Sequence, residues 1–110
     1  MKARVHVEAG VCNFVTTVCA SSEDDQHVTF DIRTDCEKIA SLGLRLKGKG
    51  AIDAFQEINT ASEGVVMAIA RGSLKGCCAG CAVPVGVFKA MQVAAGLALP
   101  KDIRLKIARE

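Results

Sequence analysis

His27-Val28-Thr29-Phe30-Asp31-Ile32-Arg33-Thr34-Asp35-Cys36-Glu37-Lys38-Ile39-Ala40-Ser41-Leu42 changes its hydrophobic period halfway along, and that change decides the fold. From His27 to Arg33 the apolar residues Val28, Phe30 and Ile32 recur every second position, the repeat of a half-buried strand. From there on Ile39, Leu42 and Leu46 recur at helical spacing on one face. Thr34 and Glu37 fit a capping box at the junction, with Thr34 as N-cap and Glu37 reaching back from the third helical position. Lys47-Gly48-Lys49-Gly50 ends the helix, because glycine accepts the left-handed stop and lysine suits the C-terminal dipole.

Upstream of this switch the period is two. Ala3, Val5 and Val7 alternate with Arg4, His6 and Glu8. Ala9-Gly10-Val11-Cys12-Asn13 reads as a turn, residues 14–20 as a second strand rich in Phe, Val and Thr, and Ser21–Gln26 as a polar hairpin loop. Downstream the period is helical. A short helix is expected around Ile52–Ile58, and a second capping box at Thr60-Ala61-Ser62-Glu63 opens a helix through Val66, Met67 and Ile69 that stops near Gly72. Leu74-Lys75-Gly76-Cys77-Cys78-Ala79-Gly80-Cys81 is too rich in glycine for a regular element. Pro84 suits the first turn of the next helix, which is apolar nearly all round and so needs cover from its own chain or from a second copy. Asp102–Ala108 alternates again, with Ile103, Leu105 and Ile107 against Arg104 and Lys106, and predicts a last strand. The expected order is β-β-β-α-α-α-β over one domain, residues 1–110: an α+β fold with an antiparallel sheet and the helices packed on one face.

Half of the 110 residues are hydrophobic, so a core can form without disulfide staples. The net charge of +2 is spread along the chain, and only four residues, all Phe, are aromatic. Neither a basic stripe nor a stacking platform for nucleic acid is present. The first residues carry charges where a signal peptide needs an apolar run, and Ala82–Leu99 is short for a membrane span and interrupted by Lys89 and Gln92. The expectation is a cytoplasmic protein that binds neither nucleic acid nor membrane, with its six cysteines as thiols.

In that setting clustered cysteines point to metal or to thiol chemistry. Cys78 and Cys81 are two residues apart, a spacing that lets both sulfurs reach one ion from a tight turn. Cys36 and Cys81 stand at helix starts, where unpaired N–H groups favour thiolate, and Cys12 lies on a turn between strands. Cys19, at a strand end, reads as a small packed hydrophobe. Cys77 is a spare ligand or a resolving thiol. His6 and His27 read as solvated residues, and Glu23, Asp24 and Asp25 as a solvated acidic turn. No phosphate loop, nucleophile elbow or metalloprotease pattern occurs.

The order of these features resembles the iron–sulfur scaffold domains of the NifU/IscU type, over roughly residues 10–98. Gly10-Val11-Cys12 is similar to their first cysteine loop, Cys36-Glu37-Lys38-Ile39-Ala40-Ser41 to their second motif, and Cys81 before the helix holding Lys89-Ala90 to their third. The resemblance implies a NifU/IscU-like fold and a cluster held by the matching cysteines. Two departures qualify it: Asn13 stands where the scaffold has Asp, and Gly80 where it has His. With Cys78 as an extra thiol, they imply a completed four-thiolate site that keeps its ion. The layout is equally similar to the small metal-binding TSCPD-type domains. As a whole the chain resembles a small uncharacterised family marked by Ala9-Gly10-Val11-Cys12, by an Asp-Cys helix start, and by Cys81-Ala82-Val83-Pro84 through Pro100.

Three readings follow from the residues. The first is a metal or iron–sulfur protein with Cys12, Cys36, Cys78 and Cys81 as ligands, since soft thiolates select zinc, cuprous copper or an iron–sulfur cluster, of which zinc and the cluster are the cofactors expected. The second is a thiol–disulfide or sulfur-transfer protein using Cys78 and Cys81. The third is an interaction protein whose cysteines only pack. A homodimer through the Pro84–Leu99 helix is a separate expectation, since so short a chain has little with which to surround an apolar helix.

Overall fold

The period-two segments pair in chain order. In the computed structural model, which describes residues 1–110, β1 (Lys2–Glu8), β2 (Val15–Ser21) and β3 (His27–Thr34) form an antiparallel meander. Its register sets Val5 against Val18 and Val18 against Ile32. A two-residue strand, β4 (Ile52–Asp53), adds beside His27 and Val28. The helices α1 (Glu37–Gly48), α2 (Ala54–Asn59), α3 (Val65–Ser73) and α4 (Val83–Ala94) complete an α+β fold.

Alternation in the strands separates two faces. Thr16, Val18 and Ala20 of β2 are buried, while Val15, Thr17, Cys19 and Ser21 are exposed or half-exposed. On the buried face α4 covers β1 and β2, α1 covers β3, and α3 packs against α1 and α4. One cluster of 20 buried residues results, so every element shares a single core. Gly86 lets α4 settle onto β1. A Cβ there would lie 2.7 Å from Val7 Cγ2 and 3.2 Å from Val5 Cγ1, closer than packed atoms approach.

Four local expectations are corrected. The fourth strand is not the C-terminal segment: residues 101–110 are exposed and form no regular element, because alternation makes a strand only where an edge is in reach to pair with. The first capping box does not form. Thr34 still belongs to β3 and bonds Thr16 Oγ1 at 2.8 Å, so α1 starts later with Cys36 as its N-cap. The second box does not form either, since Glu63 pairs with Arg71. Instead the buried carboxylate of Glu57 accepts from the N–H groups of Val65 at 3.0 Å and Val66 at 2.7 Å, capping α3 past its extended N-cap residue Gly64. Finally, Gly76–Gly80 is a short 3-10 turn rather than irregular loop.

The segment Gly76–Ala94 is long and apolar enough by composition to cross a membrane. It folds as that turn plus α4, and α4 alone is about 18 Å long against the roughly 30 Å of a bilayer core. Val83, Val87, Ala90, Met91 and Ala94 bury its inner face, leaving Val85 exposed.

Candidate functional site

Three segments bring thiols to one end of the sheet. β1 ends at Glu8 opposite Val15, and next to that pair Thr16 is set against Thr34, the end of β3. The turn holding Cys12 and the junction holding Cys36 therefore leave from the same end. The third segment enters there too, since the first turn of α4 lies on Val7 through Gly86.

Each thiol is held differently. Cys12 is exposed on a turn closed by Asn13 N–H to Gly10 O (2.9 Å) and Ala9 N–H to Phe14 O (3.1 Å), with Gly10 and Asn13 both in the left-handed region. Cys36 is half-buried, and its N–H donates to Thr34 Oγ1 at 3.1 Å. Cys78 and Cys81 are half-buried and tied by Cys81 N–H to Cys78 O at 3.1 Å, which closes the two-residue turn between them. Val83 N–H, the amide two residues on, points at Cys81 Sγ across 3.5 Å.

Electrostatics link the four. Burial pushes the Cys81 thiol up from its ordinary value, and Cys12, Cys36 and Cys78 push it further as like charges. The Val83 N–H acts the other way without prevailing, so the thiolate expected of Cys81 from its helix-start position is corrected. Lys38, in the first turn of α1, places Nζ 3.3 Å from Cys78 Sγ. That bond first, then the charges of Cys78, Cys77 and Cys36, hold the lysine ammonium above its ordinary range. In the sequence Lys38 falls inside the motif that begins at Cys36, but nothing there gives it a role of its own. Its only signal is that it lies two residues beyond Cys36 on the helix that Cys36 begins.

The segments carrying Cys12, Cys36 and Cys81 thus reach one end of the sheet, Cys78 is tied to Cys81 by the turn between them, and Cys77 is exposed. The sulfurs are not in ligand positions as they stand, for no three His, Cys, Asp or Glu side chains form a group that could hold one ion. Cys19 is apart from them. It sits on the open face of the sheet between Arg4 and Asp31, not in the core. His6 contacts only Thr17 at 3.4 Å, and His27 pairs with Asp24 at 2.7 Å on the exposed hairpin.

Residues 3–107, nearly the whole chain, match the model of a family described as a family of unknown function (DUF6951). No curated protein matches.

Proposed function

The chain belongs to the DUF6951 family, and because membership brings no activity with it we propose a function from the site itself: Cys12, Cys36, Cys78 and Cys81 bind a soft metal, as zinc or as an iron–sulfur cluster. The observation that supports this reading is that the β1–β2 turn, the β3–α1 junction and the start of α4, which carry these cysteines, all lie at one end of the sheet. Thiolates select soft ions. A zinc ion with four thiolates carries excess negative charge, and the Lys38 ammonium and the Val83 N–H stand ready to offset it. Binding draws the sulfurs together, as at sites that form with their metal. The motif likeness to scaffold and TSCPD-type domains favours the same residues, and the missing Asp and His favour an ion that is kept. Such a site needs a reducing compartment such as the cytoplasm.

Metal analysis and an absorption spectrum of anaerobically purified protein test this. About one zinc, or the visible bands of a cluster, is expected per chain. Cys36→Ser and Cys81→Ser should abolish it and Cys19→Ser should not. Less than about a tenth of an equivalent in the wild type would refute the reading, since four thiolates bind zinc tightly.

A second reading has its own observation, the 3.3 Å approach of Lys38 to Cys78. Cations beside thiols raise their reactivity, so Cys78 would attack and the more protonated Cys81 would resolve in a thiol–disulfide or sulfur-transfer reaction. Metal-free protein should then alkylate at Cys78 first, and more slowly in Lys38→Gln. Equal, slow alkylation of Cys78 and Cys81 excludes it.

A further inference from the structure

We propose that the C-terminal segment of one chain adds as an antiparallel strand to the free edge of β3 in a second copy, giving a reciprocal dimer. Two exposed features that the single chain leaves unpaired fit each other. The first is the segment itself. Ile103, Leu105 and Ile107 alternate with polar residues and are 54%, 74% and 95% exposed, a large apolar surface for a segment that forms no regular element. The second is an edge. β4 pairs with β3 only at His27 and Val28, so Thr29–Thr34 offers its outer N–H and C=O groups. Beside that edge runs a groove of about 430 Å³ between β3 and α1, lined by Phe30, Ile32, Ala40, Gly43, Leu44 and Lys47. Leu44 is 72% exposed there. Strand addition to an edge beside a helix is a common way to hold an extended segment.

Charge selects the register. In antiparallel alignment Asp102 faces Arg33, Arg104 faces Asp31 and Lys106 faces Thr29, while Ile103 and Leu105 continue the buried face beside Ile32 and Phe30. Asp31 and Arg33, which lie 3.4 Å apart as an exposed pair in the single chain, would each then have an opposite charge directly across, an arrangement that stabilises sheets. A parallel alignment that kept Arg104 on Asp31 would set Lys106 on Arg33. The added strand stops at Lys106 opposite Thr29, since Val28 is already paired with Ile52 of β4, and Ile107 lies beyond the paired stretch.

Reach selects the second copy over the chain's own groove. α4 ends beside Met1, since a Cβ on Gly96 would lie 3.7 Å from Met1 Cε. Lys2 is level with Ser21 and Thr29, so the tail leaves at the Thr29 end of the sheet and on the β1 side. Pairing Asp102 with Arg33 requires moving about 13 Å along the strands and about 14 Å across three strand spacings. The direct line, about 20 Å, passes through the packed body. Six residues from Gly96 to Asp102 reach about 20 Å only when fully extended. The bonds Leu97 N–H to Gln92 O (2.7 Å) and Lys101 N–H to Leu99 O (2.9 Å) fold this stretch and shorten it. A neighbour's groove has no such restriction, and exchanging both tails closes a two-fold dimer. This interface differs from the α4 face expected from sequence, where the sheet already covers most of the helix.

Sedimentation equilibrium of the full chain and its variants tests the proposal. The wild type should dimerise. Asp31→Arg or Arg104→Asp alone should weaken the dimer by about tenfold or more, because each cross-strand charge acts twice in a reciprocal pair. Combining the two should restore it to within about threefold of wild type, and Leu105→Asp should abolish it. Circular dichroism should find every variant folded, since all three positions are exposed. A wild type that stays monomeric up to about 1 mM would overturn the proposal. So would a dimer indifferent to these substitutions, which would place the contact on α4 or elsewhere, and so would single swaps that the double swap does not rescue.

Discussion

Glu57→Ala should cost this domain about 2–3 kcal/mol, and the figure follows from two hydrogen bonds. The carboxylate is 8% exposed, and its two oxygens close the Val65 and Val66 amides, two of the unpaired donors that begin α3. The N-cap itself is Gly64, which has no side chain to do this. Losing a cap costs about 1 kcal/mol, and leaving the buried Val66 N–H without a partner adds about 1–3 kcal/mol, partly offset by no longer burying a carboxylate. In a domain of this size each kcal/mol moves Tm by roughly 4–8 °C, so a fall of about 10–20 °C is expected. Gly64 supplies an internal control. Its φ of −79° is ordinary, yet a Cβ would lie 2.6 Å from Glu57 Oε2. Gly64→Ala should therefore cost about 1–3 kcal/mol by displacing the carboxylate. In a Glu57→Ala background the same change should cost less than about 0.5 kcal/mol, because the obstacle is gone. Urea titration followed by far-UV circular dichroism, applied to the four proteins of the cycle, measures both values. Equal cost of Gly64→Ala in both backgrounds, or a Glu57→Ala effect below about 0.5 kcal/mol, would refute the capping argument.

Gly86→Ala should destabilise by about 1–3 kcal/mol despite alanine's better helix propensity, because the new methyl meets Val7 and Val5; a neutral or stabilising result in the same titration would mean that α4 can lift off β1 freely. Asp24 holds His27 above its ordinary 6.5, and the N–H and ring of His27, with the Gln26 N–H, hold Asp24 below its ordinary 3.8. The His27 share of this stabilisation is complete below pH 6.5 and lost as pH rises through the raised value, while the Asp24 share is complete above 3.8 and lost as pH falls. The Tm deficit of His27→Gln should thus be largest near about pH 5 and shrink by about pH 8, and a constant deficit would contradict the pairing. If the four thiols hold zinc, Cys12 is the ligand most open to solvent. Cys12→Ser should release zinc to a chelator at least about tenfold faster while still binding it, and unchanged release would remove Cys12 from the ligand set.

Much of the fold could be read from period alone. The shift from two to 3.6 at Thr34 placed β3 and α1, and it did so because Val28, Phe30, Ile39 and Leu42 all end up in one core. Capping boxes failed where tertiary structure had prior use of the residue. Thr34 is spent on pairing with Thr16, and Glu63 on Arg71. The residue that does cap α3, Glu57, lies on a different helix, so no local pattern announces it. The C-terminal alternation was real but described a strand without an edge. Sequence period reports which face wants burial; whether a partner lies within the length of the connecting chain is a question of three-dimensional reach.

The site follows the same logic with the opposite outcome. Cys12, Cys36 and Cys81 are far apart in the chain, and their spacing says nothing about meeting. Their segments share one end of the sheet because an antiparallel meander returns the chain to the same end every second crossing, so the β1–β2 turn and the exit of β3 must be neighbours. The third segment is brought there by α4, which lies on β1 closely enough that Gly86 admits no side chain. On the proposed reading, metal affinity and the seating of α4 would therefore be coupled through one glycine. Lys38 was invisible because the pairing that defines it, with Cys78 across 3.3 Å, joins two helical segments that only tertiary packing brings together. A thiol's position on its own element suggested a low pKa for Cys81, but burial by neighbouring elements outweighed the local dipole. On the proposed reading that same burial is what makes metal the better partner. A thiol that keeps its proton when free loses it to the solvent when a metal ion takes its place on the sulfur, so loading this site should acidify the solution as the ion goes in.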